Sequence, residues 1–177
     1  MPDVRWRDDE VATLVALRGH VADVRRVDLS EVSVGHLCPH CGSSEHGRPW
    51  ARAGGVDVPV SASHAGGWLV TAVGEYGAIG IDIEVVADIE RGWDASLVLA
   101  PGESADSPVE RAAVWCGKEA VLKATGQGLR VPMSDVRLAD WDVRSLPAPQ
   151  GMCARLVVEQ GEELLVVDQG EELLVVE

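Results

Sequence analysis

The sequence predicts an α+β fold, and three observations carry that reading. Two segments have helical character, at residues 9–26 and 107–125. Between them, residues 56–84 hold three runs rich in Val and Ile, separated by turn residues. Apolar residues make up 46% of the 177, enough for one domain with a real core. With no Phe and a single Tyr, that core must be built from Val, Leu, Ala and Trp.

The first segment, DEVATLVALRGHVADVRR, places Val11, Leu14, Val15 and Leu17 near helical spacing and reads as one helix or two short ones. HLCPHCGSSEHGRPW, rich in Cys, His, Gly and Ser, reads as a loop. VDVPVSAS, WLVTAVG and AIGIDIE then read as strands, and GEYG at 74–77 as the hairpin turn between the last two. That turn would set Val73 opposite Ala78, Trp68 opposite Ile83, and the SHAGG turn, Ser63–Gly67, beside Glu84. LAPGESADSP is a loop. The next helix is the best-marked element: Ser107 is an N-cap, Pro108 suits the first helical position, Glu110 completes a capping box and Gly126 is a stop. The C-terminus repeats QGEELLVV at 160–167 and 169–176. Two copies are too few for a solenoid, so residues 156–177 read as an acidic duplicated hairpin or tail.

The formal net charge is −14, and residues 156–177 contribute seven acids and no base. The remainder carries 22 acids against 15 bases. Broad nucleic-acid binding is therefore not expected, and an anionic ligand would need a local basic pocket. MPDVRWRDDE lacks the pattern of a secretory signal, and no apolar run approaches a membrane span. Four cysteines without a signal suggest reduced thiols in the cytoplasm.

Asp82 and Glu84, two apart on a strand, point to one face, about 6.6 Å apart along the chain, while Ile81 and Ile83 point to the other. Either this is the solvated face of an edge strand, or the carboxylates need a compensating partner, for which a hard cation such as Mg²⁺ is suited. Ser63 and His64 offer a hydroxyl and an imidazole nearby; alone, His64 is equally a turn histidine. Lys118 and Lys123 are the only lysines; the other thirteen basic residues are Arg. Glu119 and Lys123 are an i, i+4 pair, either on the surface or facing inward with Trp115. G-x-x-G-x-x-G at 74–80 precedes a strand rather than a helix, so it is no dinucleotide fingerprint. Cys38 and Cys41, with His36, His40 and His46 nearby, form half a zinc motif or a plain loop.

In order, HGRPW, VSASHAGGW, IGIDIE and WCGKEAVLKATGQGL resemble the motif series of the 4′-phosphopantetheinyl transferases of the larger, Sfp-type class. The resemblance covers about residues 46–130 and implies a single domain over 1–177, made of two similar α+β halves with the active site between them and the N-terminal half trimmed. It implies transfer of phosphopantetheine from coenzyme A to a serine of an apo acyl or peptidyl carrier protein, with release of adenosine 3′,5′-bisphosphate. Asp82, Glu84 and Glu119 match the family's Mg²⁺ ligands. Lys118 and Lys123 match the lysines on the CoA phosphates, Ser63 and His64 a phosphate contact, and Arg48 a basic CoA-binding position. Glu119 would take the serine proton and Lys123 would stabilise the leaving phosphate. Arg25 and Arg26 are further candidates for CoA, and Arg52, Arg111 and Arg130 for carrier docking. The expected protein is a monomer without nucleic-acid or membrane partners, serving fatty acid, polyketide or nonribosomal peptide synthesis. The alternatives are a non-catalytic CoA- or nucleotide-binding module of the same fold, and a zinc-stabilised interaction protein built on the Cys/His loop.

Overall fold

The computed structural model describes residues 1–159, apart from Pro39 and the side chain of Leu129. Three antiparallel sheets of three strands are present. One has the order β1 (Asp3–Asp8), β6 (Trp68–Val73), β5 (Val60–Ala65). The second is a meander of β2 (Val32–Leu37), β3 (Arg48–Ala53) and β4 (Val56–Val58). The third has the order β7 (Ala78–Val85), β9 (Met152–Glu159), β8 (Val143–Ser145). The helices are α1 (Thr13–Arg25), α2 (Val86–Gly92), α3 (Ala95–Val98) and α4 (Pro108–Thr125). This is the expected α+β fold. Among the described residues, no helix is long and apolar enough to cross a membrane.

Each half wraps strands around one long helix. In the first half, Leu17, Val21 and Ala22 of α1 bury against Val32, Ala51, Val58, Val60 and Val73. His20, fully buried, fastens α1 to two strands: its Nε2 donates to Asp3 Oδ1 at 2.7 Å, and its Nδ1 lies 2.8 Å from Thr71 Oγ1. In the second half, Ala120, Val121, Leu122 and Ala124 of α4 pack with Val136 and Val157. Strand β7 joins the halves because both of its faces are covered. Ile79, Ile81 and Ile83 bury against Val70 and Ala72 of β6 and Ala154 and Leu156 of β9. The opposite face, carrying Gly80, Asp82 and Glu84, lies under α4. Helix and strand touch so closely at Gly80 that a Cβ there would overlap the Ala120 carbonyl oxygen.

The caps of α4 match the sequence reading. Ser107 Oγ accepts the Glu110 N–H at 3.3 Å, Glu110 Oε2 accepts the Ser107 N–H at 2.9 Å, and Gly126 closes the helix at φ 68°. Helix α1 starts later than expected, because residues before it finish β1 and bond back to the Gly67 carbonyl through Asp9 N–H.

Three expectations are corrected. Strands β6 and β7 do not pair across GEYG: β6 pairs with β1 and β5, and β7 pairs with β9. The hairpin is instead β5–β6, closed at Gly66–Gly67, with Ala65 opposite Trp68. Strand β7 is no solvated edge, since Asp82 is only 3% exposed. Residues 156–159 are not part of a tail; they end β9, the central strand of its sheet, and Leu156 and Val157 are fully buried. The QGEELLVV repeat at 160–177 lies outside the described residues.

Gly80→Ala should lower the unfolding free energy by about 3 kcal/mol, the upper range for overpacking. Gly19→Ala, in α1 with open space around it, should raise it by about 0.5–1 kcal/mol. Urea unfolding of both variants measures the contrast; equal effects would contradict the Gly80 contact.

Candidate functional site

The site forms where β5 of the first half runs beside β7 and α4 of the second. Ser61 and Ser63, two apart on β5, share the face turned to β7. Ser61 Oγ accepts the Ile81 N–H at 3.0 Å, and the Ser63 hydroxyl donates to Asp82 Oδ1 at 2.8 Å. Lys123 reaches in from α4. Its ammonium donates to Asp82 Oδ1 at 2.6 Å, to Ser63 Oγ at 2.9 Å and to the Ile81 carbonyl at 3.2 Å. Lys123 therefore serves Asp82, not a surface pair with Glu119. Asp82 Oδ2 is buried without a partner.

Trp115, Glu119 and Lys123 follow one another at i, i+4, i+8 along the face of α4 turned to β7. Burial pushes the Glu84 carboxyl up to about 7, and the Asp82 charge adds to the rise; the Trp115 indole N–H opposes it. Burial and Asp82 likewise raise Glu119, against the pull of Lys123. The two carboxyls are thus held half-buried beside Asp82, with one cation among them.

A cleft of about 680 Å³ opens on this set. Arg48, Ser61, Glu119, Lys123 and Arg130 line it, together with Cys38 and His46 from the loop between β2 and β3. A second cleft of about 790 Å³ shares Arg48 and Arg130 with the first and adds Arg52. Burial lowers the Arg48 pKa, although arginine remains charged at neutral pH.

Two expected residues stand apart from this set. Lys118 is fully buried, and its ammonium donates to the Val98 carbonyl at 2.6 Å and the Met133 carbonyl at 3.1 Å, and pairs with Glu103 at 2.5 Å. Fully buried and absent from the cleft wall that Lys123 lines, it is out of reach of a ligand there. Its place is one residue before Glu119, roughly 100° around the helix, so it faces the loops instead of β7. His64 follows Ser63 on β5 and therefore faces the other way. It is exposed, and its Nε2 lies 3.2 Å from Thr13 Oγ1 at the start of α1. Arg25 is committed to the Gly74 and Glu75 carbonyls at 2.9 and 3.3 Å, and Arg26 caps α1 with φ 56°. Of the docking candidates, Arg111 pairs with Glu90 at 2.7 Å and Arg52 with Asp57 at 2.6 Å. Sequence reasoning missed Ser61, which its i, i+2 relation to Ser63 could have revealed. It also missed Glu103, whose loop carries no periodic signal.

The donor set fits a hard divalent cation: three carboxylates with oxygen ligands only, one of them offering a buried oxygen without a partner. Among the described residues the three carboxylates do not gather within 4.8 Å of one another, and Asp82 Oδ1 is shared by Lys123 and Ser63.

Lys118→Ala leaves Glu103 without its ion partner and should cost about 3 kcal/mol of stability, the low end for a broken buried pair because Glu103 keeps 19% exposure. Urea unfolding measures the loss, and wild-type stability in the variant would contradict the buried pair. A second prediction concerns pH. The folded protein holds the Glu84 proton up to about pH 7, while the unfolded chain releases it near 4.5. Stability contributed by this group is thus present at low pH and lost as pH rises through that window. In chelator, Tm should fall from pH 5 to 7.5, and Glu84→Gln should flatten that slope. An unchanged slope in the variant would assign the effect elsewhere.

Residues 78–156 match the profile of the 4′-phosphopantetheinyl transferase superfamily. The matched span, somewhat under half of the chain, runs from the first residue of β7 through α4 into β9. A 4′-phosphopantetheinyl transferase of Bacillus subtilis is 32% identical over 62% of this chain and 52% of its own length. The chain thus spans about half the length of that curated relative. Arg48 and Ser63 lie before the matched span. Through the segment that carries Asp82, Glu84, Glu119 and Lys123, the chain is similar to the 4′-phosphopantetheinyl transferase superfamily.

Proposed function

We propose that this protein transfers the 4′-phosphopantetheine group of coenzyme A to a serine of an apo acyl or peptidyl carrier protein, as an Sfp-type enzyme dependent on Mg²⁺. The observation that carries this reading is the meeting of Ser63, Asp82 and Lys123 across the seam between the halves, where Lys123 also lines a cleft with Arg48, Arg130 and Glu119. Anion-binding cations and a cation-binding carboxylate set stand side by side, as pyrophosphate chemistry requires.

In this reading Asp82, Glu84 and Glu119 hold Mg²⁺, which when bound neutralises charge on the CoA pyrophosphate. Arg48 and Arg130 bind phosphate oxygens from the cleft wall, and Ser63 adds a hydroxyl. Arginine suits fixed oxygens through its planar fork; Lys123 offers a compact charge that follows a phosphate as its geometry changes. The carrier serine Oγ bonds to the phosphorus nearer the pantetheine, and the bond from that phosphorus to the bridging oxygen breaks. Adenosine 3′,5′-bisphosphate leaves with the bridging oxygen. Glu119 accepts the serine proton. Lys123 stabilises the charge on the departing phosphate. All four cysteines are free thiols, which fits a reducing compartment such as the cytoplasm.

Incubation with CoA, Mg²⁺ and a panel of apo carriers should add the mass of one phosphopantetheine arm to a carrier. Binding of CoA without transfer to any carrier would turn the reading to a CoA-binding module. Glu119→Ala should lower turnover by about 10²–10⁴-fold while circular dichroism stays unchanged. Near-normal turnover would remove Glu119 from both roles.

A further inference from the structure

The loop between β2 and β3 holds a second set of ligating side chains that the transfer chemistry leaves unused. The Sγ atoms of Cys38 and Cys41 and a ring nitrogen of His46 all lie within 4.8 Å of one another, with Cys41 Sγ 3.4 Å from His46 Nε2. Among the described residues this is the one group of His, Cys, Asp and Glu gathered so tightly. His36 and His40 do not join it.

The main chain is shaped to bring the three together. The Gly42 N–H donates to the Cys38 carbonyl at 2.9 Å, and the Cys38 N–H donates to the Ser43 carbonyl at 2.9 Å. These two bonds hold Cys38 against Gly42 and Ser43, which brings the Cys41 thiol near the Cys38 thiol. Gly42 takes φ 71° to allow the turn. Gly47, at φ 107°, lies directly on the backbone of Cys38: a Cβ there would come within 2.5 Å of the Leu37 carbonyl and 2.6 Å of Cys38. Only glycine admits that approach, and the approach carries His46 to the cysteines. Leu37 and Arg48 pair at the ends of the two strands, so the cluster bridges the hairpin loop just beyond its last pair.

We propose that Cys38, Cys41 and His46 bind a zinc ion. Two thiolates and an imidazole are borderline-soft donors that suit zinc and are poor ligands for Mg²⁺. The site is therefore chemically separate from the carboxylates of Asp82, Glu84 and Glu119. Three protein ligands leave one tetrahedral position for water or another small ligand. Cys38 and His46 line the same cleft as Arg48 and Lys123, so that position lies at the cleft wall. Binding releases the two thiol protons and ties the loop across its ends, which fixes the backbone from which Arg48 projects. The inference does not depend on the transferase reading, because both its premises and its test leave CoA and carrier aside.

Purification without chelator, followed by elemental analysis of the whole chain, should find about one zinc per molecule. Replacement by Co²⁺ should give the visible d–d bands of a tetrahedral site and a near-ultraviolet thiolate-to-cobalt band. Cys41→Ser should roughly halve that band, and His46→Ala should weaken Co²⁺ binding by on the order of 100-fold or more, exceeding the usual effect of an outer-shell change. Wild-type protein that binds neither ion stoichiometrically overturns the proposal without recourse to variants. So does Co²⁺ binding that lacks the thiolate band, which would place the ion on carboxylates. A Cys38–Cys41 disulfide in protein isolated anaerobically under reducing conditions would overturn it as well.

Discussion

The close contact of α4 on β7 at Gly80 is the constraint on which the rest depends. A helix normally rides 8–10 Å from its neighbour, spaced by side chains. Here glycine removes the spacer, and the Ala120 and Ala124 backbone sits directly on the strand. With that distance reduced, residues on either side of the contact meet at short range. Lys123 reaches the Asp82 carboxylate, and Trp115 reaches Glu84. The antiparallel run of helix against strand sets the order: alanines at Gly80, lysine at Asp82, tryptophan at Glu84. A larger residue at position 80 would lift the helix and part the lysine from its acid. The glycine that begins the acidic strand motif is thus a packing residue with a functional consequence.

The same contact explains why Asp82 can be held buried with Glu84 and Glu119 half-buried beside it. The Ile79, Ile81 and Ile83 face is sealed by β6 and β9, so β7 cannot turn its acids to water without exposing isoleucines. Burial and mutual repulsion then raise Glu84 and Glu119. Asp82 is partly compensated, by one ammonium and one hydroxyl on the same oxygen. That leaves an arrangement which costs the fold stability and which, in the proposed reading, a bound cation would relieve.

Much of this was legible in the sequence, for definite reasons. Helix α4 announced itself through local chemistry, since Ser107, Pro108, Glu110 and Gly126 act within a few residues of themselves. The shared face of Asp82 and Glu84 followed from strand periodicity. The nearness of Ser63 to Asp82 was anticipated, but through a hairpin that does not exist. The two meet because β5 borders β7, a non-local fact with no turn signal. Strand β9 was hidden for the opposite reason: its LVVE end merges into a repeat of similar composition, so a central strand resembled the start of a tail. Lys118 shows the limit of motif proximity. It adjoins Glu119 in sequence, yet one residue of helix turns it toward Glu103, whose loop carries no pattern pointing back.

Charge poses the remaining question, because in the proposed reading a chain of net charge −14 binds an anion. At long range the field is repulsive, but exposed charges beyond about 10 Å are largely screened at physiological salt. What matters is the balance inside the cleft. Arg48, Arg130 and Lys123 line one wall region, whereas Arg52, Arg111 and Arg144 are spent on Asp57, Glu90 and Asp142. Burial of Arg48 strengthens its local field, since little water is left to solvate the charge. An anion therefore meets attraction only once it has entered. Such a site selects by fit within the groove instead of by steering from afar, and a partner that is itself acidic must bring its reacting group in on short-range contacts.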